Sequence, residues 1–208
     1  EKMTEVDTPT MIEMIGRAGS YLWEFHNFGM TFPAYYALYA SAHMAKYGTT
    51  EEDLAEVAIK AHRYGAMNPN ARFQSETDMD QVLSSFLVAW PLKLYDCSPI
   101  CDGSAAVILA SEEKTKELGI ETPIWVKGAG HSSDTANLSK RSDFLGLRAS
   151  VTASQKAYKM AGIGPGDLDV ANVHDCFTIA ELLAYEDLGL AERGQGADLL
   201  REGETEIG

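Results

Sequence analysis

The residues best suited to chemistry in this chain are His174 and Cys176, within Asn172-Val173-His174-Asp175-Cys176-Phe177. An imidazole exchanges protons near neutral pH, and a thiol can serve as nucleophile, acid or base. In an extended segment residues i and i+2 point the same way, so both side chains can face one cavity if that geometry reaches Cys176. A thiol at the start of a helix also feels the positive end of the helix dipole, which favours thiolate. Together these are the parts of a proton-transfer site. The plainer account is packing, because cysteine is among the most buried residue types and a histidine beside it is often only hydrogen-bonded.

The elements that must hold this turn can be read on both sides of it. Residues 168–173 have the pattern of a short, half-buried strand. Downstream, Phe177, Ala180, Leu183, Ala184 and Leu188 recur at helical spacing and Gly189 is a natural stop. Thr178 with Glu181 has the pattern of a capping box. Nearer the start, helices are expected over residues 8–21, 32–47, 51–64 and 78–89. Pro33 lies in the first turn of the second and Gly48 beyond its end, and Tyr36, Leu38, Tyr39, Ala42 and Met44 form its packing face. Thr49 or Thr50 caps the third, which opens with acids and closes with Lys60, His62 and Arg63. The aromatic run from Tyr21 to Met30 suits a core lid or a ligand-facing loop, and Asn68-Pro69-Asn70 is a turn.

After residue 96 the character changes. Residues 105–110 form a continuous apolar run, the signature of a strand buried on both faces, and 124–127 repeat it. Helices are expected over 112–118 and 144–161, and Gly162 to Gly166 turns the chain into the strand before His174. Gly128-Ala129-Gly130-His131-Ser132-Ser133 is a connector too weak in pattern to be a phosphate loop. Alternating strands and helices predict an α/β layered core behind a mostly helical first part.

Composition bounds the function. The chain has 208 residues and a formal charge of −14, with no Lys/Arg cluster, which argues against nucleic acid. No apolar run approaches the ~18 residues of a membrane span, and no signal peptide opens the chain. The three cysteines, Cys97, Cys101 and Cys176, are an odd number and point to free thiols in a reducing, cytoplasmic setting. Cys97-x3-Cys101 reads as a pair of core thiols rather than a metal half-site, and His174 with Cys176 lacks a third and fourth ligand, so no metal is expected. The chain opens at Glu1 rather than Met and stops at Gly208 with no element completed, so a partial polypeptide is expected.

Several segments together resemble the thiolase superfamily, in particular its sterol-carrier-protein-X and archaeal acetoacetyl-CoA thiolase branch. They are His174-Asp175-Cys176-Phe177, Tyr95 to Ile100, Asp102-Gly103-Ser104-Ala105-Ala106, Ala42 to Thr50, Asn68 to Ala71 and Glu186 to Gly189. The HDCF tetrapeptide is specific to this branch, since most thiolases carry Asn-Glu-Ala-Phe there. The resemblance implies a five-layered αβαβα fold, of which this chain is a middle part. Residues 1–95 would be the loop domain and the end of the N-terminal half, 96–122 the last strand of that half with a linker, and 123–208 the start of the C-terminal half.

The resemblance also implies chemistry. Thiolases make or cleave 3-ketoacyl-CoA through an acyl-cysteine, with the coenzyme A thioester as substrate and no resident cofactor. His174 would help hold the oxyanion of the thioester enolate and Cys176 would shuttle the proton. Phe177 and Phe28 would line the acyl or pantetheine pocket, and Asp175 would be structural. The acylated cysteine and the Gly-His-Pro histidine of thiolases have no counterpart here, so the chain alone is expected to be inactive. A homodimer or homotetramer is implied, as is assembly with hydroxymethylglutaryl-CoA synthase and an OB-fold zinc-ribbon protein. The alternative is a non-catalytic, acyl-CoA-binding or scaffolding subunit of such a complex.

Overall fold

Helix α7, Thr178–Asp187, is the axis of the molecule. Ile179, Leu182 and Leu183 have no solvent exposure, and Leu54 and Val57 of α3 and Ala37, Tyr39 and Ala40 of α2 close around it. Described here, from a computed structural model, are residues 4–121 and 123–207; the expected domain limits at 1, 122 and 208 and both chain ends lie outside them. The chain begins with α1, Thr8–Gly16, followed by a wide helical turn over Tyr21–His26. Then come α2, Phe32–Tyr47, and α3, Glu51–Met67.

Local chemistry accounts for the bounds of α2 and α3. Pro33 sits in the first turn of α2, and Gly48 ends it with φ of 80°, a left-handed conformation that glycine adopts without steric cost. Thr50 caps α3 reciprocally: its N–H donates to Asp53 Oδ2 at 2.9 Å and its Oγ1 accepts from the Asp53 N–H at 3.2 Å.

The helix expected over 78–89 is cut short. Helix α4 spans only Met79–Leu83, and a two-stranded antiparallel hairpin follows, β1, Leu87–Ala89, with β2, Leu92–Lys93, turning at Trp90 and a cis Pro91. The run Phe86-Leu87-Val88 favours extended backbone over a helix, and Pro91 cannot continue one. A single helical turn over Leu94–Asp96 links the hairpin to the loop that holds Cys97. Later come α5, Glu112–Glu117, α6, Arg148–Ala161, and, after α7, α8, Gly196–Arg201. Helix α6 starts four residues later than expected because the Leu147 N–H is held by the buried Asp187 carboxylate at 2.8 Å.

The three expected strands do not form ladders. Residues 105–110, 124–127 and 168–173 carry no backbone pairing among the described residues, and their apolar side chains face outward: Ile108 is 95%, Ile124 98% and Val170 86% exposed. The first two announce burial on both faces and the third burial on one, but among the described residues only the Leu87–Lys93 hairpin forms a sheet. Among the described residues no helix is long and apolar enough to cross a membrane.

Polar groups buried along α7 are paired, and this fixes how the helix sits. His43 of α2 and Glu186 of α7 have fully buried side chains. His43 Nε2 lies 3.1 Å from Glu186 Oε1 and Nδ1 lies 2.7 Å from Thr49 Oγ1. A carboxylate only accepts, so the Nε2 proton points to Glu186. Burial would raise the pKa of Glu186, but the bond from His43 and the N–H groups of Gly194 and Gly196 outweigh it and hold it below the ordinary glutamate value. A folded-state pKa below the unfolded one stabilises the fold above about pH 4.5, and that contribution is lost as pH falls through the folded value. His43→Leu, which strands the buried charge, is expected to cost about 3–5 kcal/mol in urea unfolding at pH 7. Glu186→Gln should flatten the loss of stability between pH 5 and pH 3, roughly the range in which a glutamate titrates. An unchanged acid profile in Glu186→Gln would rule out this carboxylate as its source.

Candidate active site

The turn before α7 is stitched to the loop after β2. Thr178 Oγ1 donates to Asp96 Oδ1 at 2.8 Å, and the Lys93 N–H donates to Asp96 Oδ2 at 2.7 Å. The Ser98 N–H donates to the Cys176 carbonyl at 3.0 Å, and Cys97 pairs with Phe177 in an isolated antiparallel bridge. The expected capping box is therefore absent. Phe177 is the N-cap residue, Thr178 spends its hydroxyl on Asp96, and Glu181 pairs with Lys60 of α3 and with Tyr185. Burial raises the Asp96 pKa against these two donors.

The stitching brings two half-buried thiols, Cys97 and Cys176, near one another. Cys97 Sγ donates to the Lys93 carbonyl at 3.3 Å. Burial first, then the Asp96 charge, pushes the Cys97 thiol up to about 12. Burial also raises Cys176, partly opposed by the Tyr36 hydroxyl, which bonds to its sulfur, and by backbone N–H groups at the helix start. The helix start thus offsets only part of the desolvation cost, and Cys176 is held as a neutral thiol at pH 7. Cys101, expected as a core thiol, is exposed.

The four residues singled out in sequence take different places. His174 is exposed with no hydrogen-bond partner among the described residues, two residues from the half-buried Cys176. Phe177 is 7% exposed and stacks on Tyr36 with ring centroids 4.6 Å apart. Phe28 is 76% exposed and does not line the aromatic cleft described below. The imidazole and the thiol are thus delivered to one turn, but no contact joins them.

Tyr36 and Arg141 were not singled out as site residues. Tyr36 touches Cys176 through its hydroxyl and Phe177 through its ring, and burial drives its pKa upward. It also lines an aromatic cleft of about 130 Å³, with Phe32, Tyr35, Tyr39, Leu138 and Arg141 among others. Arg141 Nη1 donates to the Tyr39 hydroxyl at 2.7 Å and Nη2 to the Thr135 carbonyl at 3.1 Å, while Nε is buried with no acceptor. Such an unmet buried donor costs about 1–3 kcal/mol. The 3.6-residue period that places Tyr36 and Tyr39 on one face was visible in sequence, but not their neighbour across the fold. No cluster able to hold a metal exists among the described residues.

Chemically, the arrangement offers a neutral thiol with a phenol beside it, an exposed imidazole on the same turn, and an aromatic cleft behind the phenol. Tyr36→Phe removes the donor that lowers Cys176, so the pH midpoint for alkylation of Cys176 by iodoacetamide, followed by peptide mass spectrometry, should rise. In the unaltered chain Cys176 should react more slowly than exposed Cys101 at pH 7. A lower midpoint in Tyr36→Phe would mean that the phenol does not hold the thiol.

Comparison with known proteins agrees with this architecture. Residues 130–208 match the thiolase C-terminal domain-like family. The chain is 44% identical over 207 residues to an acetyl-CoA acetyltransferase of Methanothermobacter thermautotrophicus, covering all of this chain and 53% of that protein. It superimposes on a solved structure described as the Ltp2-ChsH2(DUF35) aldolase with a TM-score of 0.81, at 28% identity, covering 91% of this chain and 50% of that one. A monomeric SCP2-thiolase-like protein of Mycobacterium smegmatis shares the fold, with a TM-score of 0.60 at 23% identity over 76% of this chain and 37% of that one. The chain thus spans about half the length of the curated relatives it matches. The α/β thiolase-like fold class expected from the sequence is borne out, with its helical content dominating the described residues. By these matches, and by the HDCF turn at the head of its buried helix, residues 130–208 match the thiolase C-terminal domain-like family and the whole chain is similar to thiolase-superfamily proteins.

Proposed function

We propose that the polypeptide carrying this chain is an acyl-CoA thiolase of the acetyl-CoA C-acetyltransferase type, acting on short 3-ketoacyl-CoA. The observation that carries this reading is the HDCF turn at the head of α7, with the half-buried Cys176 beside Tyr36, in a chain 44% identical to an acetyl-CoA acetyltransferase. The coenzyme A thioester is substrate and not a resident cofactor.

In the cleaving direction a nucleophilic cysteine outside this chain attacks the 3-keto carbonyl. The bond between C2 and C3 breaks, and its electron pair passes to the departing acetyl-CoA as an enolate. His174, exposed at the turn, donates to the enolate oxygen, and Cys176 delivers its proton to C2. A thiol kept protonated by burial is in the correct state for that step. In the condensing direction Cys176, as thiolate, takes the same proton from acetyl-CoA, and the resulting enolate attacks the acyl-cysteine. Phe177 walls the site from behind through its stack on Tyr36, and Phe28, exposed on its loop, is the pantetheine contact.

The same reading takes in assembly. A homo-oligomer closes over the apolar segments at 105–110, 124–127 and 168–173, with the remainder of the polypeptide completing the sheets there. A DUF35 partner protein is suggested by the structural likeness to the Ltp2-ChsH2(DUF35) aldolase. Hydroxymethylglutaryl-CoA synthase as a further partner, a cytoplasmic location and a place in isoprenoid precursor synthesis belong to this proposal as well.

Acetoacetyl-CoA thiolysis by the full-length polypeptide tests it. Cys176→Ala and His174→Ala should each lower kcat by about 100-fold or more, the loss typical of removing a proton donor or an oxyanion donor. After incubation with acetyl-CoA, an acetyl adduct should appear on a cysteine outside this chain and survive in Cys176→Ala. Unchanged turnover in Cys176→Ala would sink the proton role.

A further inference from the structure

Three ionisable side chains surround the Cys176 sulfur, and one of them donates to it. Cys97, from the loop after β2, spends its S–H on the Lys93 carbonyl at 3.3 Å and is kept neutral by burial. Asp175, in the same turn, carries a negative charge that works against a thiolate. Tyr36, from α2, sets its hydroxyl on the sulfur, and the other donors there are the backbone N–H groups of Cys176 and Phe177.

The ring of Tyr36 fixes where that hydroxyl lies. It stacks on Phe177, the N-cap residue of α7, with centroids 4.6 Å apart and planes 28° apart. One turn further along α2, Tyr39 lies 6.0 Å from Tyr36 and meets Phe144, from the segment before α6, edge-on at 5.4 Å. Arg141 Nη1 holds the far end of this row through the Tyr39 hydroxyl at 2.7 Å. A ring held by neighbours on both sides has already lost its rotamer freedom on folding. Its hydroxyl therefore meets a change of charge on the sulfur without rearranging. Burial raises the Tyr36 pKa, so the phenol keeps its own proton while it donates.

We propose that Tyr36 is a positioning residue for the proton step, its hydroxyl donating to the Cys176 sulfur as negative charge develops there. The inference rests on the thiolase reading, in which the S–H proton passes to C2 of the enolate and the S–H electron pair stays on sulfur. The O–H bond of Tyr36 does not break. The hydrogen bond it makes strengthens as the neutral thiol becomes a thiolate. In the condensing direction the same bond stabilises the thiolate that takes the proton from acetyl-CoA. One donor thus serves one transition state from both sides, and its loss slows thiolysis and condensation alike.

The test uses the full-length polypeptide. Tyr36→Phe keeps the ring and its stack on Phe177 and removes only the donor. It should lower kcat for acetoacetyl-CoA thiolysis about tenfold, the worth of a hydrogen bond to a charged group, with KM within about twofold of the wild type. In a Cys176→Ala background, adding Tyr36→Phe should cost nothing further, because the phenol acts through the sulfur. The limb of the pH profile that disappears in Cys176→Ala should move upward in Tyr36→Phe, since removing the donor disfavours the thiolate. A ring-fluorinated tyrosine at position 36 is a stronger donor and should move that limb downward, a readout that stands even where Tyr36→Phe does not fold. Wild-type kcat in Tyr36→Phe overturns the proposal, as does an undiminished further loss in the Cys176→Ala background or a limb that ignores fluorination. A wild type without thiolysis removes the thiolase reading and the step with it, whereas turnover that Tyr36→Phe leaves unchanged removes only the role of Tyr36.

Discussion

Helix α7 is buried on every side, so each polar side chain along it has had to find its partner inside the protein. Thr178 reaches Asp96, Glu181 reaches Lys60, Glu186 reaches His43 and the Gly196 N–H, and Asp187 receives the Leu147 N–H. These partners come from the turn after β2, from α3, from α2, and from the residue before α6. A helix held by apolar packing alone can rotate or slide among near-equivalent positions. One held by directional bonds at its head, middle and foot cannot, because any shift leaves a buried polar group unmet. The turn carrying His174 and Cys176 is continuous with the head of that helix. Its position is set by the same bonds that set the core.

That constraint also explains what could be read in the sequence and what could not. The bounds of α2 and the start of α3 depend on contacts within a few residues: Pro33, Gly48, Thr50 and Asp53. They stand where the sequence places them. Thr178 and Glu181 have an equally good local pattern, yet the capping box does not form, because distant partners offer each side chain a better-buried bond. The apolar runs at 105–110, 124–127 and 168–173 state how buried a strand ought to be but not which strand lies beside it. A strand is completed by its neighbours, and these segments have none among the described residues.

The candidate site divides along the same line. Spacing alone placed His174 and Cys176 on one turn, because two residues in a row of backbone are positioned by that backbone. Tyr36 and Arg141 reach the site from α2 and from the connector before α6, and nothing in their own neighbourhoods marks them. Tyr36 looks like any other residue on the packing face of a helix. Arg141 follows Lys140 in a polar stretch and looks solvated. Only the folded chain reveals that one touches the thiol and that the other bonds the Tyr39 hydroxyl and the Thr135 carbonyl.

The thiol itself shows two opposing effects being resolved. The start of a helix favours thiolate by an amount that is typically about 0.3–1 kcal/mol at an exposed site. Removing a thiolate from water costs more than this, and in Cys176 burial outweighs the helix start and the Tyr36 hydroxyl together. The outcome is a protonated sulfur with a donor already facing it. A nucleophile would be poorly served by that arrangement, because it must be ionised before it attacks. A proton carrier is well served, because it must hold its proton until an enolate forms and then release it. The phenol of Tyr36 donates to the thiolate left behind, so the proton's departure is stabilised by a group already in place. Burial, read from sequence as the case for mere packing, is therefore what keeps Cys176 protonated, the state that the proposed proton donor needs.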